Sequence, residues 1–166
     1  MDLISFFQWL EGTAGSVYIR ESTLFYPFVE TTHVLTLCLF LGMTALFDLR
    51  LLGVTLRGVR VTGAADRLLF WSRIGFTVMA ISGMLLFYSG PVKASGNPFF
   101  QVKMVLITLA GLNVMLFHLL TFPRVADWDN DPKPPAKARL AGLLSLIFWS
   151  GVVVCGRMQA YNWFDK

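Results

Sequence analysis

The chain has few charged residues for its length. Asp, Glu, Lys and Arg make up 14% of its 166 residues, whereas hydrophobic residues make up 55%. The mean hydropathy is +0.62. This composition excludes a typical water-soluble domain and a disordered chain, and it predicts an integral membrane protein with one domain. The formal net charge of +4 is spread over the connections between apolar runs, so we expect no nucleic-acid partner.

Cysteine is also scarce. Cys38 and Cys155 each lie in an apolar segment, which predicts buried free thiols. The sequence has no CxxCH motif for covalent haem attachment, no CxxC motif and no Cys/His cluster with zinc spacing. It also lacks the basic start and the short apolar core of a signal peptide, because Asp2 stands where a basic residue is usual.

What the sequence does have is long apolar runs. Four of them, at about 24–47, 68–88, 98–122 and 140–161, are predicted to be membrane-spanning helices. Each exceeds the roughly 20 residues that cross a hydrocarbon core of about 30 Å at 1.5 Å per residue. Breakers separate them: two glycines, Gly53 and Gly63, then SGPVKASGNP, then PRVADWDNDPKPPAKAR. The predicted fold is therefore all-α, an integral membrane four-helix bundle over residues 24–166.

Residues 1–23 have a different pattern. In MDLISFFQWLEG a polar residue recurs at every third position, at Asp2, Ser5, Gln8 and Glu11. This spacing predicts an N-terminal amphipathic helix lying in the membrane interface as an anchor. Gly12 and Gly15 then break the pattern before a second short segment.

The basic residues predict the orientation. Eight belong to the first and third connections, namely Arg50, Arg57, Arg60, Arg67, Arg124, Lys133, Lys137 and Arg139. Three belong to the other side, namely Arg20, Lys93 and Lys166. Since positive charge is retained in the cytoplasm, we expect a multi-pass protein of the bacterial inner membrane with both termini periplasmic.

Two ionisable residues lie within the first span. Glu30 and His33 are one helical turn apart on one face. Counted at 1.5 Å per residue, they lie roughly 8 and 12 Å below the outer edge of the core, with Lys103 and Arg157 at roughly 8 and 6 Å. Because a buried carboxylate requires a partner, we expect Glu30 to face the bundle interior and to pair with Lys103 or Arg157. The same level holds further candidates, namely Tyr88, Met84, Met104 and Met158.

The second histidine lies elsewhere. His118 is expected roughly 30 Å deep, about 18 Å along the membrane normal from His33, so one haem iron cannot be held by both. Its position at a helix end favours contact with headgroups. Other polar residues have structural interpretations: Asp48, Arg50 and Arg73 pair at the rim, and Asn113 bridges helices. Glycines 42, 83, 111, 142 and 151 are expected at close helix contacts.

Several segments carry a resemblance to a known family. They are YPFVETTHVL, DLRLLG, NPFFQVK, AGLNVMLFH and WSGVVVCGRMQAY. Through them the chain, from about residue 24 to 161, resembles an uncharacterised family of bacterial four-helix membrane proteins. The layout is more distantly similar to that of four-helix protoporphyrinogen oxidases and copper-resistance membrane proteins. Those proteins have a histidine on the first helix and a lysine opening the third, which His33 and Lys103 match.

These observations support two functional hypotheses. The first is a membrane redox protein that binds a b-type haem or a quinone-like lipophilic ligand near the outer leaflet and serves electron or proton transfer. His33 would be the metal ligand or proton relay, a methionine the second axial ligand, and Lys103 and Arg157 the partners of propionates. The predicted cofactor-binding residues are Glu30, His33, Met84, Tyr88, Lys103, Met104 and Arg157.

The alternative is a non-catalytic accessory or assembly subunit. In that case the polar cluster locks the bundle, and the apolar faces bind a larger membrane complex or further copies of the chain. A small transporter is less favoured, since the chain has no internal repeat. The residues leave enzymatic activity, substrate and redox partner open.

Overall fold

A computed structural model describes residues 3–161, so Asp2 and Lys166 lie outside the described residues. Helices account for 83% of the described chain, and residues 3–161 contain no strand. Three helices are short: α1 (Leu3–Glu11), α2 (Ala14–Glu21) and α5 (Pro91–Gly96). Four are long and apolar enough to cross a membrane: α3 (Phe25–Leu51), α4 (Val61–Ser89), α6 (Pro98–Asp127) and α7 (Ala136–Met158). The predicted all-α class and the number of spans are confirmed.

The long helices extend beyond the predicted bounds. Helix α4 begins at Val61 rather than near 68, and α6 ends at Asp127 rather than near 122. The extension of α4 includes the start of a π-helical turn at Ala65–Leu69, whereas in α6 a π-helical turn at Phe117–Thr121 comes just before the extension. In α6 a 3-10 segment follows, with Pro123 in its first turn, where a missing N–H leaves no hydrogen bond broken. Hydropathy detects the apolar part of a helix and misses these polar ends.

The long helices pack in the order α4, α3, α7, α6. Helix α3 contacts both α4 and α7, whereas α6 packs mainly against α7. Glycines set the closest approaches: a Cβ on Gly142 would lie 2.9 Å from the Asp48 carbonyl oxygen, and one on Gly75 3.0 Å from the Phe40 nitrogen. Contacts expected at glycines 83, 142 and 151 are present. Those expected at glycines 42 and 111 were wrong, because a Cβ there would meet nothing within 4 Å.

We call the two ends of the bundle the loop end, which holds residues 52–60 and 128–135, and the terminal end, which holds α1, α2 and α5. The best-buried core lies at the loop end. It comprises Phe47, Leu51, Val61, Ala64, Ala65, Phe117, Trp128 and Ala138. Side chains from all four long helices and from one loop meet there, so the loop end is fixed by packing.

Arg50 ties the two loops of this end together. Its side chain is fully buried at 0% exposure. Its Nε donates to the Val59 carbonyl at 2.8 Å, and its Nη2 donates to the Asp131 carbonyl at 3.1 Å. The predicted pairing of Arg50 with Asp48 and Arg73 was wrong, because the guanidinium turns to loop carbonyls and Arg73 is exposed.

Asp129 fixes the start of α4. Its carboxylate accepts hydrogen bonds from the Thr62 backbone nitrogen at 2.8 Å and from the Thr62 hydroxyl at 2.9 Å. Burial by itself would raise the pKa of Asp129, but these hydrogen bonds and the charge of Arg60 bring the pKa below its ordinary value. The third loop is therefore anchored to α4 through a carboxylate that stays ionised.

The N-terminal segment forms two helices, and the break between them at Gly12 and Thr13 agrees with the predicted break at Gly12, whereas Gly15 lies inside α2. Both helices dock on the end of α4. The Thr13 and Tyr88 hydroxyls share a hydrogen bond of 2.6 Å, and the Ser16 hydroxyl donates to the Tyr88 carbonyl at 2.8 Å. Arg20 donates to the Ser89 carbonyl at 3.1 Å. These contacts hold α1 and α2 over the terminal end of the bundle.

Candidate functional site

His33 lies on α3, half-buried against α4. Its Nδ1 is 3.0 Å from the Met79 carbonyl oxygen and 3.1 Å from the Ser82 hydroxyl. A carbonyl oxygen only accepts, so Nδ1 is the nitrogen that carries the proton. Gly83 makes this contact possible, since a Cβ at that position would stand 3.0 Å from Cε1 of His33.

The other ring nitrogen of His33 is available. Nε2 makes no hydrogen bond within residues 3–161, and in the neutral ring it carries the lone pair because Nδ1 carries the proton. A backbone carbonyl that orients one imidazole nitrogen and frees the other is the usual arrangement behind a metal-ligating or proton-accepting histidine. The sequence-based choice of His33 as the reactive residue is consistent with this geometry.

Lys103 reaches the same region from α6. Its ammonium lies within electrostatic range of the His33 ring and of the Cys155 thiol. It passes over the backbone of Gly156, with Nζ 3.7 Å from the position a Cβ would take there. Among the described residues no ion pair forms at Nζ. His33 and Lys103 therefore lie within electrostatic range of each other, and among the described residues neither Nζ of Lys103 nor Nε2 of His33 is held by an ion pair.

The expected pair of Glu30 with Lys103 or Arg157 was wrong. The Glu30 side chain is exposed, and it lies within electrostatic range of Tyr26, one turn earlier on α3. Arg157 is also exposed and lies over the Tyr161 ring, 5.5 Å from its centroid. The helix rotation that seats His33 against α4 turns Glu30, three residues away, toward the outer surface. Within residues 3–161 the ion pair that forms is Arg20 with Glu11, at 3.7 Å.

The remaining candidates lie outside the cluster. Tyr88 is bound to the N-terminal helices through Thr13 and Ser16. Met84 and Met104 are 67% and 45% exposed, and neither is turned into the interior. Met158 is half-buried near the end of α7. The structure thus places His33 and Lys103 within electrostatic range of each other and leaves two of the three proposed methionine ligands, Met84 and Met104, at the surface.

His118 and Asn113 occupy positions close to those expected. His118 is exposed near the loop end, and its Nδ1 lies 3.0 Å from the Val114 carbonyl one turn back. It is far from His33, as the count of residues predicts. The Asn113 amide donates to the Ala141 carbonyl at 2.9 Å, so the predicted bridge between α6 and α7 is confirmed.

Two members of the cluster were missed from the sequence, Ser82 and Cys155. The depth count could have found both, since Ser82 lies seven residues before the end of α4 and Cys155 two before Arg157. A serine and a cysteine in apolar helices look like ordinary core residues. Only the helix rotation, which the sequence does not give, shows that they face His33 and Lys103.

Four apolar spans, and a polar cluster to which each of them contributes a side chain, define a helical multi-pass membrane protein. The chain belongs to DUF6644, a family of unknown function, whose model matches residues 5–162. No curated protein and no solved structure matches the chain.

Proposed function

We propose that the chain is a membrane redox protein whose His33–Lys103 cluster binds the polar head of a quinone-like lipophilic ligand. The observation that carries the proposal is the free Nε2 of His33 beside an ammonium without an ion pair. Lys103 can donate a hydrogen bond to a quinone carbonyl, and Nε2 can accept one from a quinol hydroxyl. The two side chains therefore complement both redox forms of such a ligand.

A proton-transfer role follows from the same geometry. Because Nδ1 is held by the Met79 carbonyl, a proton taken up at Nε2 charges the ring without turning it. Lys103, whose charge lies within electrostatic range of the ring, repels the imidazolium that forms. The electrons come from a redox partner in the membrane.

A b-type haem is the second ligand that fits part of the site. Nε2 of His33 is oriented as an axial nitrogen would be, and Lys103 is placed to pair with a propionate. Bound haem would supply one-electron transfer. Met84 and Met104 fit poorly as the second axial ligand, because both are exposed. Arg157 lies over the Tyr161 ring, so it does not support the predicted pairing with a propionate.

The accessory-subunit hypothesis is favoured by a separate observation. Only 11% of the apolar window of α6 is buried within the chain, against 33% for α3 and for α7. An apolar helix with so little contact is available to a neighbouring membrane subunit. If the chain binds neither quinone nor haem, that result would support the accessory-subunit hypothesis.

The location proposed from the sequence is the bacterial inner membrane, with both termini periplasmic. Its support is the basic residues of the first and third connections of the sequence, which outnumber those of the opposite side by eight to three. In this orientation the His33–Lys103 cluster lies in the outer half of the membrane.

The test uses the full chain purified in detergent. We expect a short-chain ubiquinone analogue to bind, with affinity reduced about tenfold or more in His33→Ala and Lys103→Met, since each removes a hydrogen bond to the ligand. His118→Ala is the matched control and keeps wild-type affinity, because His118 lies at the other end of the bundle.

A reduced-minus-oxidised spectrum separates the two ligands. A haem signal that is lost in His33→Ala and kept in His118→Ala would show that the ligand at His33 is haem rather than a quinone. Equal losses of binding in His33→Ala and His118→Ala, with both folded, would contradict the site. Absence of any haem signal and of quinone binding would favour the accessory subunit.

A further inference from the structure

A second polar feature lies between α3 and α7, toward the loop end. A groove of about 330 Å³ separates the two helices there. Its walls are the successive turns of α3 that include Leu41 and Asp48, and the turns of α7 that include Leu146, Trp149 and Val153. Most of these side chains are apolar, and the volume is at the lower end of the range for small-molecule sites.

Asp48 is the acidic group in this wall. Its side chain is 5% exposed, so it is more than nine-tenths buried. One carboxylate oxygen lies near the Ser145 hydroxyl, while the other, Oδ2, has no hydrogen-bond partner. The nearest basic residue along the chain, Arg50, is directed to the loop carbonyls instead. An intramembrane carboxylate without a cation is costly, and such residues usually mark a binding site.

The groove is independent of the His33–Lys103 cluster. Asp48 follows His33 by fifteen residues on one helix, or about 22 Å along its axis. The ligand that complements the groove has a positive charge for Asp48 and an apolar body for the leucine and valine walls. Trp149 adds an aromatic ring, which attracts organic cations.

We infer that the α3–α7 groove binds a lipophilic organic ammonium ion, with its N–H groups donating to the Asp48 carboxylate and its apolar part lying along the groove. An ammonium supplies both the charge and the hydrogen bond that Oδ2 lacks. A neutral lipophilic molecule would fill the same volume and leave the carboxylate unpaired.

The probes are 2-phenylethylamine, which is protonated at pH 7, and 2-phenylethanol, its neutral counterpart of similar shape. Binding to the detergent-purified full chain is measured by equilibrium dialysis against protein-free micelles, which corrects for partition into detergent. We expect the wild type to bind the amine at least about tenfold more tightly than the alcohol, because the alcohol carries no charge.

Three variants locate the preference. Asp48→Asn is expected to bind amine and alcohol equally. Asp66→Asn, which removes the same charge from an exposed position on α4, keeps the wild-type preference. Ala45→Leu fills the groove while keeping the carboxylate, and it weakens amine binding about tenfold.

Thermal unfolding confirms that each variant is folded, and Ala45→Leu decides the question if Asp48→Asn is not. The inference is overturned if the wild type shows no preference for the amine, if folded Asp48→Asn retains it, or if Ala45→Leu binds the amine as the wild type does. None of these results affects quinone or haem binding at His33, so the two proposals fail separately.

Discussion

At the scale of single residues, the charged side chains of α3 end in different surroundings. Glu30 is exposed, whereas Asp48 and Arg50 are buried at 5% and 0% exposure. All three lie on one apolar helix, so local sequence gives no reason for the difference. Nε and Nη2 of Arg50 donate to carbonyl oxygens of two loops, whereas its Nη1 has no hydrogen-bond partner among the described residues. Glu30 is exposed and needs no partner inside the bundle. A charged side chain of α3 therefore contributes to the fold only where it is buried and hydrogen-bonded to other parts of the chain, as Arg50 is.

Replacement of Arg50 should destabilise the loop end. Arg50→Ala removes a fully buried side chain together with its charge-assisted hydrogen bonds to the Val59 and Asp131 carbonyls, so we expect a loss of about 3 kcal/mol or more. Arg50→Lys should recover little of this loss in the free energy of unfolding. A single ammonium cannot donate to both carbonyls at once, as the planar guanidinium does. Thermal unfolding in detergent measures the loss.

Arg67→Ala is the control for this prediction. Arg67 is exposed on the π-helical turn of α4, and its removal should change stability by less than about 0.5 kcal/mol. If Arg50→Ala were as stable as Arg67→Ala, the guanidinium would not be what holds the loops.

At the scale of helices, close packing is set by individual glycines. Helix α3 approaches α7 at Gly142 and α4 at Gly75 and Gly83. The residues that a Cβ would meet at Gly75 and Gly142 are backbone atoms, which cannot turn away. Gly111, on the lightly packed α6, faces open space. Equivalent glycines in the sequence therefore differ in what they contribute.

Gly142→Ala and Gly111→Ala should have opposite effects. At Gly142 the new Cβ would lie 2.9 Å from the Asp48 carbonyl oxygen, so α3 and α7 must separate, and we expect a loss of about 1–3 kcal/mol. At Gly111 alanine relieves the poor helix propensity of glycine and should stabilise by up to about 1 kcal/mol. Unfolding midpoints of the two variants under identical detergent conditions give the comparison. Equal effects of the same sign would mean that α3 and α7 are not in contact there.

At the scale of the whole molecule, the two ends of the bundle are built differently. The loop end is a packed core with buried Arg50 at its centre. The terminal end is covered by α1 and α2, which are held to α4 by hydrogen bonds from Thr13, Ser16 and Arg20. Only the loop end carries many basic residues, which gives the molecule a polarity across the membrane.

This polarity predicts that both ends of the chain lie in the periplasm. In a cysteine-labelling experiment, Cys38 and Cys155 are replaced by alanine and one cysteine is introduced at a time. A membrane-impermeant maleimide should label Ser5→Cys in intact spheroplasts, and it should label Asn130→Cys, in the loop between α6 and α7, only after lysis. Labelling with the reverse pattern would place the His33–Lys103 cluster in the inner half of the membrane instead.

The sequence by itself determined the class of protein and the level of each polar residue. Apolar length fixes the number of spans, because about 20 residues are needed to cross a bilayer, and a constant rise of 1.5 Å fixes depth. The count accordingly put His33 and Lys103 at one level and His118 at another, and in the structure Lys103 lies within electrostatic range of the His33 ring. The start of α4 and the end of α6 were not predicted, because their π-helical and 3-10 turns continue through polar residues held by the loop-end core.

The tertiary structure decided which way each side chain faces. Depth follows from counting along one helix, but facing depends on how neighbouring helices rotate to bring Gly75, Gly83 and Gly142 into contact. That rotation turned Glu30 outward, brought Ser82 to His33, and buried Asp48 without a cation. A helix with apolar residues on every side carries little periodic signal to predict such a rotation, so only packing against its neighbours determines it.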